Sequence, residues 1–336
     1  MNFSPATTYK AFKPLSEYRG NTSNYRLFPF KFKNIDNKNV LITTEEGEFL
    51  ICSKTNLSKL LNKNINFDLL PDFFLELLNK QFIYLQKDKE SVERKAVKYR
   101  TKKQFLYSGP VLHVFVVTTR CQHKCHYCQI TPQNEQAFEF DMTVEIAKKS
   151  VDMMMQAPAK SITVEFQGGE TLLAFNIVKE IVLYTHQLNV KHNKEIEFVL
   201  ATSLVDITRE QLIFINEYNL ILSTSLDGPE ELHNLNRPIG SQNTYKKFKE
   251  GFQLASEYVS DTISPLLTLS KSSLTQIKEI IQEYQNFNQN SISLRALSPY
   301  GFAIKTMSKI GYSSKKYIEF YLNALDYIID MNLNGT

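Results

Sequence analysis

The chain has 336 residues, of which 43% are apolar and 22% charged, close to the averages of soluble globular proteins and far from disordered or disulfide-rich classes. Its 39 basic and 35 acidic residues are interleaved and leave a formal net charge of +4, which argues against a nucleic-acid-binding surface. No apolar run is long enough to cross a bilayer, no signal peptide is evident, and three of four cysteines crowd into eight residues. These features lead us to expect a cytoplasmic protein with no membrane partner and no disulfide framework.

Residues 1–22 are polar and aperiodic and read as a flexible arm. Residues 40–44 and 48–52 read as two strands around Glu45-Glu46-Gly47, a hairpin. Leucines and phenylalanines at helical spacing follow over 55–61 and 71–79, with Pro71 suited to a first turn, and 82–85 returns as a strand. Together, residues 23–86 form a small α+β domain whose order of elements is winged-helix-like. Cys52 in the hairpin reads as a buried structural cysteine. The dense charge run 87–103 reads as a solvated helix or linker, and 87–107 is placed as the charged linker at the domain boundary.

From Pro110 the pattern alternates. Apolar runs at 112–118, 161–166, 196–201, 220–225, 263–269 and 292–297 predict strands, and helical patterns at 143–155, 173–188, 208–217, 245–258 and 274–284 lie between them. A repeat of this kind predicts an α/β fold, a partial (β/α)6 TIM-like barrel over 108–312. A last amphipathic helix, 314–333, places Tyr317, Phe320, Tyr321, Leu325 and Ile328 on one side, and 313–336 is expected to lead into a further domain.

Cys121, Cys125 and Cys128 follow the first barrel strand in the spacing C-x3-C-x2-C, which lets one tight loop wrap three thiolates around a metal centre. Three ligands leave one iron of a four-iron cluster open; a zinc knuckle completed by His123, His126 or Cys52 is the alternative. Barrel enzymes collect their sites at the C-terminal ends of the strands, so the next loops can be weighed in turn. After strand two comes F-Q-G-G-E-T-L, where Gly168 and Gly169 would let backbone approach a ligand and Glu170 offers a carboxylate to an ammonium group. After strand four comes S-T-S-L-D-G-P-E-E-L-H-N-L-N-R-P, in which Asp227 and Pro229 suit an ordinary loop and helix start.

The cysteine spacing, with aromatic Tyr127 before the last cysteine, resembles the signature of radical S-adenosylmethionine enzymes. The resemblance implies one [4Fe–4S] cluster on the three cysteines, with S-adenosylmethionine on the open iron and a reductant such as flavodoxin or ferredoxin. Reductive cleavage then gives methionine and a 5'-deoxyadenosyl radical that takes a hydrogen from substrate. It also implies Tyr127 and Gln167 beside the cofactor, Gly168, Gly169 and Glu170 at its amino group, Ser225 at its ribose, Arg237 at its methionyl carboxylate and Leu297 against its adenine. Strand three ends in A-T-S-L-V-D where relatives carry T-N-G, so Thr202 matches while Ser203 and Leu204 depart.

Within the peptide-modifying, SPASM-like branch, Y-R-L-F-P-F-K-F, the two loops above and L-R-A-L-S-P-Y-G-F-A are similar to the His-Xaa-Ser system maturases of B type, from about Tyr25 onward. That resemblance implies a ribosomally made precursor peptide with a leader, a companion radical enzyme, and a cysteine-containing C-terminal domain. No cysteine follows Cys128, so one cluster and no second is expected. The winged-helix-like module would capture the leader as an added strand. A radical enzyme acting on RNA or a small metabolite, and an inactive peptide-binding fragment, are the alternatives.

Overall fold

The computed structural model describes residues 25–86, 88–259 and 263–335; the arm expected at 1–22 lies outside them. The chain divides into two units, Met1–Tyr107 and Ser108–Thr336.

In the first unit, β1 (Tyr25–Leu27) pairs antiparallel with β5 (Ile83–Leu85), while β2 (Phe30–Asn34), β3 (Asn39–Thr44) and β4 (Phe49–Ser53) form a three-stranded antiparallel sheet. Alternation buries Val40, Ile42 and Leu50 on one face, where they meet Leu57 and Leu60 of α1 (Lys54–Leu61) and Phe74 and Leu77 of α2 (Pro71–Asn79). Ser53 caps α1 by accepting from Asn56 N, and Pro71 begins α2, where its missing N–H costs nothing.

Of the two readings of the charge run, helix or linker, its described residues form a helix, and that helix is not simply solvated. Lys89–Lys102 forms α3, and the helix is tied to the turn between β3 and β4. Lys95 Nζ reaches Glu46 Oε2 at 2.9 Å and Gln81 O at 3.2 Å, Lys98 meets Glu48 at 3.0 Å, and Tyr99 OH donates to Glu45 at 2.8 Å. Two lysines and a tyrosine that look solvated in sequence are here tied to the three glutamates of one turn.

The second unit carries β6 (Leu112–Thr118), β7 (Ser161–Gly168), β8 (Glu195–Ala201), β9 (Ile221–Ser225), β10 (Ile263–Thr268) and β11 (Leu294–Arg295), all parallel and paired in sequential order. Parallel neighbours need crossovers, and α4 (Val144–Met155), α5 (Phe175–His192), α6 (Arg209–Glu217), α7 (Glu230–Asn236), α8 (Thr244–Ser256) and α9 (Ile277–Asn286) supply them. Buried Val164, Phe166, Phe198, Leu200 and Leu222 face Val151, Val178 and Leu212 from the helices. This is the α/β arrangement of a partial barrel, with every βα loop opening at one end of the sheet.

Two expectations need correction. The strand expected over 292–297 pairs only at Leu294 and Arg295, because the chain then turns into α10 (Ala303–Ile310). On α11 (Ser314–Leu333) the buried residues are Phe320 and Ala324, while Tyr321 and Leu325 stay 38% and 37% exposed, so the buried stripe is narrower than the apolar one. Among the described residues no helix is long and apolar enough to cross a membrane.

Candidate functional site

The cysteine loop leaves β6 at Thr118, and Arg120 anchors it. The Arg120 guanidinium grips Asp141 with Nε and Nη2 at 2.8 and 2.7 Å, donates to the carbonyls of Glu135 and Leu173 at 2.6 Å each, and stacks 4.5 Å over Phe138. Its backbone carbonyl accepts from Glu170 N at 2.8 Å. Lys124 N and His126 N donate to the carbonyls of Pro238 and Asn236, and Ala303 N donates to Cys128 O at 3.0 Å. The loop is therefore held from β7, from the segment after α7, and from α10.

Cys121, Cys125 and Cys128 are free thiols lining one cavity of about 260 Å³. Burial raises all three, pushing Cys125 up to about 11, so the thiolates need a cation to form. Metal loading in such a pocket releases protons. Among the described residues no three Cys, His, Asp or Glu groups converge tightly enough to hold a single ion. Three thiols spread around a shared cavity suit a cluster with one thiolate per iron better than a zinc knuckle. Cys52 is buried in the hydrophobic core of the first unit.

Gly168 and Gly169 line the cavity, and they also allow the cysteine loop itself to come close. A Cβ at Gly168, whose φ is +146°, would sit 1.9 Å from Thr118 O, and one at Gly169 would sit 2.1 Å from Arg120 O. Glu170 follows, 1% exposed yet lining the cavity, and accepts four hydrogen bonds from this chain: Oε1 takes Thr202 Oγ1 at 2.6 Å and Leu172 N at 3.2 Å, and Oε2 takes Ser203 N at 2.9 Å and Ser203 Oγ at 2.6 Å. Ser203 departs from the family pattern in sequence yet makes two of these four bonds. Gln167 lines the cavity and donates to Glu165 at 2.6 Å.

Ser225, at the end of β9, and Arg237, just after α7, reach the same cavity. Arg237 Nη1 donates to the Tyr127 hydroxyl at 2.8 Å, and that hydroxyl donates to Asp227 Oδ2 at 2.6 Å. Asp227 is fully buried, not an ordinary loop residue; burial raises its carboxyl, against the pull of Arg237. His123 is also more than a loop residue: burial holds it neutral, down to about 3, and its Nδ1 donates to Arg237 O at 3.2 Å. Leu297 lies off the cavity wall and packs against Cys125, Tyr127 and Ile310. Glu165, Thr268 and Arg295, unmarked in sequence, line the cavity because they point inward from β7, β10 and β11.

Among the described residues, three buried polar atoms lining the cavity lack partners: Arg237 Nε, His123 Nε2 and Thr224 Oγ1. In a native interior such atoms are satisfied by something, and a ligand bearing a carboxylate and hydroxyl or amino groups fits them, as S-adenosylmethionine does.

Residues 115–284, just over half of the chain, match the Radical SAM superfamily. The chain belongs to the radical SAM superfamily. That family is one of enzymes, and its cofactors are a [4Fe–4S] cluster and S-adenosylmethionine. This radical SAM chain is 28% identical over 188 residues to an uncharacterized protein of Methanocaldococcus jannaschii, covering 55% of the chain and 62% of that protein. It is 24% identical over 223 residues to a cysteine-type anaerobic sulfatase-maturating enzyme of Clostridium perfringens, covering 64% of the chain and 59% of the enzyme. The matches thus span about three fifths of these relatives' length. Among solved structures, native anSMEcpe with bound AdoMet superposes with a TM-score of 0.57 at 22% identity, over 67% of this chain and 62% of that one. Streptococcus suis SuiB bound to precursor peptide SuiA superposes with a TM-score of 0.53 at 16% identity, over 92% and 70%. These likenesses carry the fold.

Proposed function

We propose that this chain is a radical SAM enzyme that modifies a ribosomally made peptide. The observation that carries the reading is one cavity in which three free thiols meet the Gly169–Glu170 turn, Ser225, and an arginine whose buried Nε has no partner. Cys121, Cys125 and Cys128 would hold the cluster, and Arg237 the methionyl carboxylate of S-adenosylmethionine. Ser225 would meet its ribose, while Glu170 with Thr202 would face its amino group. Tyr127 and Gln167 would flank it, and Leu297 would back the cysteine loop. When bound, these cofactors supply a 5'-deoxyadenosyl radical that takes a hydrogen atom from substrate. The chain's own share is to orient the cofactor, hold Glu170 in place through its hydrogen bonds, and shield the loop from water.

Two supports favour a peptide substrate: similarity to a sulfatase-maturating enzyme, and a fold shared with SuiB, which was solved with a precursor peptide. The sequence motifs narrow the substrate to a His-Xaa-Ser type precursor. On this reading the enzyme works in the cytoplasm with a companion radical SAM maturase and a flavodoxin or ferredoxin as reductant. The first unit, read as winged-helix-like, captures the leader along a free edge of the sheet β2-β3-β4.

Anaerobic reconstitution with iron and sulfide, then addition of reductant and S-adenosylmethionine, should yield 5'-deoxyadenosine from wild type and none from Cys125→Ala. Stoichiometric zinc in place of a cluster would overturn the proposal.

A further inference from the structure

Arg120 shows how an arginine in this chain grips a carboxylate: Nε and Nη2 each meet one oxygen of Asp141. On Arg237 a different corner is occupied. Nη1 meets the Tyr127 hydroxyl at 2.8 Å, while Nε is buried without a partner and Nη2 forms no hydrogen bond among the described residues. The edge left over is the one whose two parallel donors match a carboxylate.

What selects that edge lies behind it. A phenol has one hydrogen, and Tyr127 gives it to Asp227 Oδ2 at 2.6 Å, which turns the oxygen's lone pairs toward Arg237. Asp227 is 0% exposed and its other oxygen accepts from Thr268 N at 3.4 Å, so its plane is set by β10. Among the described residues Asp227 and Arg237 form no direct ion pair. Were they in contact, the aspartate would consume the donors that face the cavity. The phenol keeps the two charges apart while passing the alignment of one to the other.

We infer that Asp227 and Tyr127 are positioning residues: Asp227 orients the Tyr127 hydroxyl, which holds Arg237 by Nη1 and presents its Nε–Nη2 edge to the methionyl carboxylate of S-adenosylmethionine. The inference rests on the reading of Arg237 as the carboxylate's partner. It assigns Tyr127 a function through its hydroxyl, in addition to any contact of its ring.

The test titrates cluster-loaded protein, under anaerobic conditions, with S-adenosylmethionine and with its decarboxylated form, which keeps the sulfonium and amine but lacks the carboxylate. Tyr127→Phe should weaken S-adenosylmethionine about ten-fold or more, leave the decarboxylated ligand within about two-fold, and keep the iron content of wild type. The same substitution in an Arg237→Ala background should cost nothing further, since its effect passes through the arginine. Equal losses for both ligands, or a full penalty persisting without Arg237, would overturn the inference and leave the cofactor reading standing. If Tyr127→Phe fails to load iron, Asp227→Asn is read in its place, with the same carboxylate-selective loss expected and the same outcomes against it. A wild-type chain that binds neither ligand would sink the cofactor reading, and this inference with it.

Discussion

Glu170 accepts four hydrogen bonds from its own chain, two of them from Ser203, and sits 1% exposed beside the cysteine loop. A buried carboxylate is tolerated only while those donors hold it. Ser203→Ala should therefore cost about 1.5 to 3 kcal/mol of stability, seen as a lower urea midpoint, with Ser203→Thr recovering most of it. An unchanged midpoint would mean that water replaces the hydroxyl. Such roles are hard to read in sequence. The cysteines and G-G-E stand out because their spacing is local. Ser203, His123 and Asp227 act through partners 33, 114 and 100 residues away, and nothing short-range marks them. Asp227 even wears the disguise of a D-G-P turn.

At the scale of elements, the legible ones announce their ends chemically. Thr143 caps α4, Thr208 and Gln211 form a capping box on α6, and Ser313 caps α11. The seven-residue α7 follows the helix start legible at Pro229, whereas α10 escapes, beginning at Ala303 with no side-chain cap to announce it. β11 is overextended for the opposite reason, an apolar run that outlasts its pairing. α3 misleads because its ties are ionic rather than apolar. Those ties have a pH signature. Burial alone would raise the Glu46 carboxyl, but the hydrogen bond and charge of Lys95, with help from Thr44, hold it below the ordinary glutamate value. A group lowered on folding contributes stability that is full above its unfolded pKa and lost as pH falls through its folded one. The lysine-to-glutamate tie should thus weaken below about pH 4.5. Lys95→Met, which leaves Glu46 buried and unpaired, should cost about 3 kcal/mol at pH 7 by urea unfolding, and less at pH 4. A penalty that does not change with pH would count against this tie.

For the whole molecule, each unit owns a hydrophobic core, one centred on Ile42, Leu60 and Phe74 and the other on Phe166, Leu200 and Leu222. Separate cores predict separable tasks. A chain of residues 108–336 should keep its circular-dichroism signature and its cluster, yet lose about ten-fold or more in affinity for a leader peptide relative to the full chain. Equal leader affinity in both would move recognition into the barrel unit.

The order of residues along the chain also has a consequence in time. Gly301 presses so close to Gln129 that a Cβ there would sit 2.1 Å from its carbonyl, and Thr306 Oγ1 bonds to His126 O across 180 residues of sequence. The segment that closes over the cysteine loop is thus among the last parts of the barrel to be synthesised. At about 5 to 20 residues per second, the thiols leave the ribosome roughly 10 to 40 s before their cover does. During that interval they are reachable by whatever delivers iron and sulfide, and by oxygen as well.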